Sequence, residues 1–167
     1  MKRLYAPWRH DYVTGKEKKD SKNLKNNCVF CDQFAQNNDE KYFILKRLQH
    51  CVVIMNYYPY NAGHVMILPY QHLEYLDQVP QEARAEMMEA TTMATSAIKK
   101  ALNCEGFNVG INLGAAGGGG LREHLHIHVL PRWKGDTNFL STLVDTTLVC
   151  TDMQEVYTAL KKEFDLV

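Results

Sequence analysis

Apolar and polar positions alternate along the middle of the chain, and the period of the alternation changes. Residues 42–48 and 51–56 are short runs rich in β-branched and aromatic side chains, with Gln49-His50 between them as a tight turn. Residues 58–63 hold Pro59, Asn61 and Gly63, the punctuation of a loop. Residues 64–69 are a largely apolar run, which predicts a strand covered on both faces. The period then lengthens. Ala83, Met87, Ala90, Ala94, Ala97, Ile98 and Ala101 recur three and four apart, predicting a helix that starts at Pro80 and closes on Lys99 and Lys100. Its methionines read as core packing. Residues 107–113 return to a strand pattern, 114–120 form a glycine-rich loop, and 124–130 are a further strand whose pairing Pro131 ends. Residues 153–164 predict a last amphipathic helix. Consecutive strands joined by hairpins, with helices outside that alternation, predict an α+β fold on an antiparallel sheet.

Composition narrows the function classes. The chain has 167 residues, 46% hydrophobic and 23% charged, which suits one globular domain. Nineteen basic residues balance nineteen acidic ones, so nothing points to a nucleic acid or an anionic membrane as partner. The first ten residues hold no apolar run long enough for a signal peptide, and no stretch approaches the roughly 18 apolar residues of a membrane span. Five cysteines, with only Cys28 and Cys31 closely spaced, fit a reducing compartment and a metal pair better than a disulfide framework. A cytoplasmic location is expected. Residues 15–27 are almost wholly polar and read as a solvated connector. The expected organisation is therefore an N-terminal segment and mobile connector over 1–27 and one catalytic domain over 28–167.

The chemistry concentrates in His124-Leu125-His126-Ile127-His128-Val129-Leu130. Strand side chains alternate faces, so the three histidines share one face while Leu125, Ile127 and Val129 point into the core. Successive histidines would lie roughly 6–7 Å apart along the strand, close enough for one phosphoryl group to touch neighbouring rings. A lone strand histidine is usually a hydrogen-bonded surface or core residue. Three in strict alternation are not explained by packing, since histidine is no leading β-former. Just before them, Gly117 to Gly120 leave backbone N–H groups unshielded, which suits an anion cradle as well as a plain hairpin tip.

This segment resembles the signature of the histidine triad family of nucleotide hydrolases and transferases. Gly63-His64-Val65-Met66-Ile67-Leu68-Pro69 is similar to the family's preceding strand, and Asn56 stands where the family keeps a ribose contact. The resemblance covers roughly residues 28 to 140. The segments 4–9 and 131–139 look like the branch that contains bacterial diadenosine tetraphosphate phosphorylases. It implies a sheet of about five antiparallel strands with a long helix and a C-terminal helix, joined to a second copy as a homodimer.

The resemblance also implies roles. His126 would attack the α-phosphorus of a nucleotide, forming a covalent nucleotidyl-histidine, as a neutral imidazole can near pH 7. His128 would donate to a phosphate oxygen beside Asn112 and the N–H groups of Gly118, Gly119 and Gly120, with His64 in support. Water or orthophosphate would then release the nucleotide. Family hydrolases usually carry a polar pair just before the triad, where this chain has Gly120-Leu121. The wider opening leans the expectation toward phosphorolysis of a dinucleoside polyphosphate or related adenylylated compound.

Cys28-Val29-Phe30-Cys31 has the spacing of a zinc knuckle. Some family members complete such a site at the positions of His72 and His124, which implies a closed structural zinc and no organic cofactor. Cys51, Cys104 and Cys150 read as small apolar groups, and His10 and His50 as surface residues. Two alternatives stand beside the enzyme: a nucleotide- or zinc-binding interaction module, and a zinc hydrolase using the three histidines as ligands. Ligands two apart on one strand would need another arm to close a tetrahedron, which disfavours the latter.

Overall fold

The computed structural model describes residues 28–118, 121, 123–136 and 151–166. The chain divides into two units, Met1–Asn37 and Asn38–Val167. In the first unit the described residues form α1, Val29–Ala35. Cys28 precedes it in extended conformation and its carbonyl accepts the Asp32 N–H at 3.1 Å. Phe30 and Phe34, one turn apart, stack with ring centroids at 6.3 Å.

Among the described residues, the second unit is a five-stranded antiparallel sheet with two α-helices. Its strands are β1 (Ile44–Arg47), β2 (Cys51–Met55), β3 (Val65–Pro69), β4 (Gly106–Ile111) and β5 (Ile127–Arg132), in the order β1-β2-β3-β5-β4. The α+β architecture expected from the hairpin pattern is the one observed. The helix α2 (Gln81–Leu102) packs on β2, β3 and β5, and α3 (Met153–Phe164) packs on α2 and β1. Ala83, Met87, Ala90, Ala94, Ala97 and Ile98 of α2 meet Val65, Ile67, Ile127 and Val129 of the sheet in one buried cluster. Met87 is core as expected, whereas Met88 is exposed. The α3 bounds match the sequence expectation, and its start is held by the Asp152 carboxylate, which accepts the N–H groups of Gln154 and Glu155. Glu86 on α2 ties helix to sheet: its carboxylate accepts the N–H groups of Gln49, His50 and Cys51 across the β1–β2 turn.

Strand limits differ from the sequence pattern where side chains or backbone angles intervene. The first strand is shorter than 42–48 because Phe43 sits at φ 54°, outside extended geometry. The last does not begin at His124, since the ladder opens at Ile127. Nor does Pro131 end the pairing: it lies opposite Phe107, and β5 continues to Arg132. The Pro131 carbonyl accepts from Asn61 Nδ2 at 3.2 Å, so this residue's polar edge faces away from β4 and its missing N–H costs no ladder bond. Cys51 and Cys104 are buried as expected, and His50 is half-buried. The expectations for His10 and Cys150, and for segments 4–9, 15–27 and 137–139, lie outside the described residues.

Candidate active site

The register of three strands assembles the site. β5 is central here, with Met66 of β3 and Gly110 of β4 directly opposite His128. Residues two along on neighbouring strands share a face and lie within side-chain reach. His64, two before Met66, and Asn112, two after Gly110, are therefore diagonal neighbours of His128 from its two flanks. His64 Nε2 lies 2.9 Å from His128 Nδ1, and the Asn112 amide lies 3.5 Å from His128 Nε2.

Hydrogen bonds to groups of known polarity assign the protons. The Tyr60 N–H donates to His64 Nδ1 at 3.2 Å, beside the Asn56 amide, also at 3.2 Å. His64 Nδ1 is thus an acceptor, its proton is on Nε2, and that proton is donated to His128 Nδ1. The neutral His128 ring then carries its own proton on Nε2. The Asn112 amide can present its oxygen to that proton, since the two ends of an amide interchange by a flip. Burial, then the neighbouring His128 and His126, push His64 down to about 3. Burial, then His126, push His128 down to about 4. Both rings are neutral donors at pH 7, so His128 Nε2–H can face an anion without itself needing a charge.

His126 is oriented differently. Its Nδ1 lies 2.8 Å from the His124 carbonyl, which can only accept. The proton is on Nδ1, and Nε2 carries the lone pair that a nucleophile needs. This local bond also explains why the ladder opens late: the His124 carbonyl turns to the ring two residues on, and the Leu125 N–H goes to Leu73 O at 2.7 Å. The rings of His126 and His128 come within 4.6 Å, centroid to centroid, nearly edge to face. That is closer than a regular strand would hold them. All three histidines are buried, at 1%, 8% and 7% exposure in chain order, while Leu125, Ile127 and Val129 fill the core as expected.

His124 stands apart from the other two. Its Nε2 donates to the Pro69 carbonyl at 2.8 Å, which puts the lone pair on Nδ1, the atom that could ligate a metal. Burial lowers its pKa, the bond to Pro69 opposes this, and the neighbouring His72 and His126 add to the lowering. The His72 ring meets it edge to face at 5.3 Å. In the first unit, burial and then the Cys28 thiol push Cys31 up to about 11. Two thiol and two imidazole donors are present that could hold a metal ion.

Of the expected nucleotide contacts, Asn56 holds His64 and also accepts the Tyr58 N–H at 2.9 Å. Gly118 has φ 84°, a backbone state that suits glycine, and a Cβ on Gly117 would run into the Leu113 carbonyl. Gly119 and Gly120 lie outside the described residues. Sequence reading missed Tyr60. Its ring lies over His64 at 4.8 Å and His128 at 5.8 Å, yet is 57% exposed. The one available signal was an aromatic residue in a Pro-Tyr-Asn loop four residues before His64.

A histidine with its lone pair fixed, beside a second histidine fixed as donor, is an arrangement chemically able to transfer an anionic group. The HIT domain profile matches residues 37–135, and the chain belongs to that family. It is an enzyme of the family, 37% identical over 144 residues to the AP-4-A phosphorylase of Mycobacterium tuberculosis, covering 86% of this chain and 74% of that protein. It is 32% identical over 123 residues to adenylylsulfatase HINT3 of Arabidopsis thaliana, covering 74% and 61% of the two chains. The fold is shared with a zinc-bound histidine triad family protein from Mycobacterium smegmatis, at TM-score 0.69 and 24% identity over 83% of this chain and 94% of that one. Among the described residues, no helix is long and apolar enough to cross a membrane.

Proposed function

We propose that this protein transfers or hydrolyses nucleotidyl groups from a dinucleoside polyphosphate through a covalent intermediate on His126. The observation that carries the reading is the 2.8 Å bond from His126 Nδ1 to the His124 carbonyl, because it leaves the attacking pair on Nε2. Nε2 attacks the α-phosphorus; the N–P bond forms as the P–O bond to the polyphosphate leaving group breaks. His128 Nε2–H, Asn112 and the Gly118 to Gly120 loop stabilise the charge on the non-bridging oxygens. Asn56 contacts the ribose. A second nucleophile then attacks phosphorus from the side the leaving group vacated and restores the imidazole.

Orthophosphate is that second nucleophile ahead of water. The sequence has Gly120-Leu121 where family hydrolases carry a polar pair, and the similarity to an AP-4-A phosphorylase supports the same acceptor. With diadenosine tetraphosphate in saturating phosphate, phosphorolysis yields ADP and ATP, whereas hydrolysis yields AMP and ATP. AMP without ADP would sink phosphorolysis. Retention of full turnover by His126→Asn would sink the mechanism and favour a binding module.

The four residues Cys28, Cys31, His72 and His124 are proposed to hold a structural zinc. A two-cysteine, two-histidine donor set matches closed structural zinc sites, and the Pro69 bond leaves His124 Nδ1 as the donor. When bound, the ion would supply cross-linking rather than chemistry. A single catalytic domain over 28–167, a homodimer and a cytoplasmic location complete the proposal.

A further inference from the structure

Tyr60, whose N–H together with Asn56 Nδ2 sets the His64 tautomer, sits in a loop that is held from outside the site. The next residue, Asn61, donates through Nδ2 to Asp136 Oδ2 at 3.0 Å and to the Pro131 carbonyl at 3.2 Å. Its own Oδ1 accepts the Ala62 N–H, and its carbonyl accepts the His64 N–H at 3.2 Å. Asp136 is itself fixed. Its carboxylate takes Arg132 Nε at 2.6 Å and Nη2 at 2.9 Å, together with the Trp133 N–H at 3.2 Å. Arg132 is anchored in turn by Asn108 Oδ1 at 2.6 Å. The Asp136 side chain is only 10% exposed, so the bonds to its carboxylate are partly shielded from competing water. The loop's other end is bedded at Gly63, where a Cβ would run into Leu102 and approach Pro131 Cγ at 3.4 Å.

We infer that Asp136 and Asn61 are positioning residues for the reaction: they latch the 58–63 loop to the end of β5, so that Tyr60 N–H stays on His64 and His128 keeps its donor proton on Nε2. The inference rests on the proposed role of His128. Neither residue touches the reacting phosphate. The latch acts through a chain of directed donors, Tyr60 N–H to His64, His64 Nε2–H to His128, His128 Nε2–H to the substrate oxygen. The same loop fixes a second donor, since the Tyr58 N–H donates to Asn56 Oδ1 and turns Asn56 Nδ2 onto His64 Nδ1. Losing both donors as the loop comes loose lets His64 take either tautomer. In one of them His64 Nε2 and His128 Nδ1 are both acceptors, and His128 must rotate or move its own proton inward.

The test compares wild type with Asp136→Ala, Asn61→Ala, their double variant and Asp136→Asn. Steady-state turnover is measured with diadenosine tetraphosphate and inorganic phosphate, and the free protein is followed by long-range 1H–15N spectra of the imidazole nitrogens. Asp136→Ala is expected to lose about 10- to 100-fold in kcat, the scale of a misplaced catalytic group, with KM little changed. The His64 and His128 nitrogens then lose their separate protonated and unprotonated signatures. Asp136→Asn keeps an oxygen toward Asn61 and Trp133 and recovers most of the rate. The double variant is no worse than either single one, as expected of a shared path. Should Asp136→Ala fail to fold, Asn61→Ala carries the same expectation with the Arg132–Asp136 pair intact. Unchanged tautomer signatures overturn the latch, whether kcat holds or falls along with thermal stability. If wild type turns over no dinucleoside polyphosphate, the catalytic reading falls, while the spectra of the free protein still decide the latch.

Discussion

His64 Nε2 donates to His128 Nδ1 at 2.9 Å, across 64 positions of sequence, and so decides which nitrogen of His128 carries the proton. A neutral ring can donate from one nitrogen only, and the partner chooses which. His64→Phe removes the partner without adding charge. Its kcat should fall about 10- to 100-fold, the usual scale for an outer partner of a functional histidine, with nucleotide affinity within a few-fold of wild type. A wild-type kcat would show that His128 needs no such partner.

Replacing His126 by Asn or Gly should abolish turnover, with a loss of at least about a thousandfold, as for other enzymatic nucleophiles. Nucleotide binding measured by calorimetry should persist. Trapping wild type with labelled substrate at low pH should yield a labelled chain, and the variant none.

The buried neutral histidines make stability depend on pH. Unfolded histidines titrate near 6.5, whereas burial holds His64 at about 3 and His128 at about 4. Below pH about 6.5 the unfolded chain binds more protons than the native one. Their contribution is thus complete above that pH and is lost progressively as pH falls toward about 4 and then 3. The melting temperature should drop steadily across this window, and His64→Gln should flatten the slope. An equal slope in the variant would exclude His64 as a source.

Purified protein should carry about one zinc per chain, the stoichiometry of a closed two-cysteine, two-histidine site. Cys31→Ser and His72→Ala should each lose the metal and melt earlier, while His126→Asn keeps it. Metal-free wild type with an unaltered melting curve would refute the site.

Gly63 has φ 72° and no room for a Cβ beside Leu102. Gly63→Ala should lower stability by about 2 kcal/mol, typical of a non-glycine residue forced into such a backbone state. Urea denaturation reads this directly, and a change below a few tenths of a kcal/mol would show that the loop adjusts freely.

Periodicity alone was enough for α2 and α3, the presence of the strands, and the division of the triad segment into histidines on one face and Leu125, Ile127 and Val129 in the core. It gave neither α1 nor the order of strands in the sheet. Such patterns are local, because side-chain direction follows from backbone repeat. The family, and with it His126 as the nucleophile to test, was also legible, since the alternating histidines stand in one continuous stretch. Tertiary structure decided the rest. Only the pairing of β3 and β4 with β5 brings His64 and Asn112 to the flanks of His128. Only the folded chain turns the His124 carbonyl onto His126, sends His124 Nε2 to Pro69, and spends the Pro131 carbonyl on Asn61 rather than on a strand. Proton positions on imidazoles are set by whichever donor or acceptor arrives from elsewhere in the chain, and no repeat in the sequence encodes that arrival.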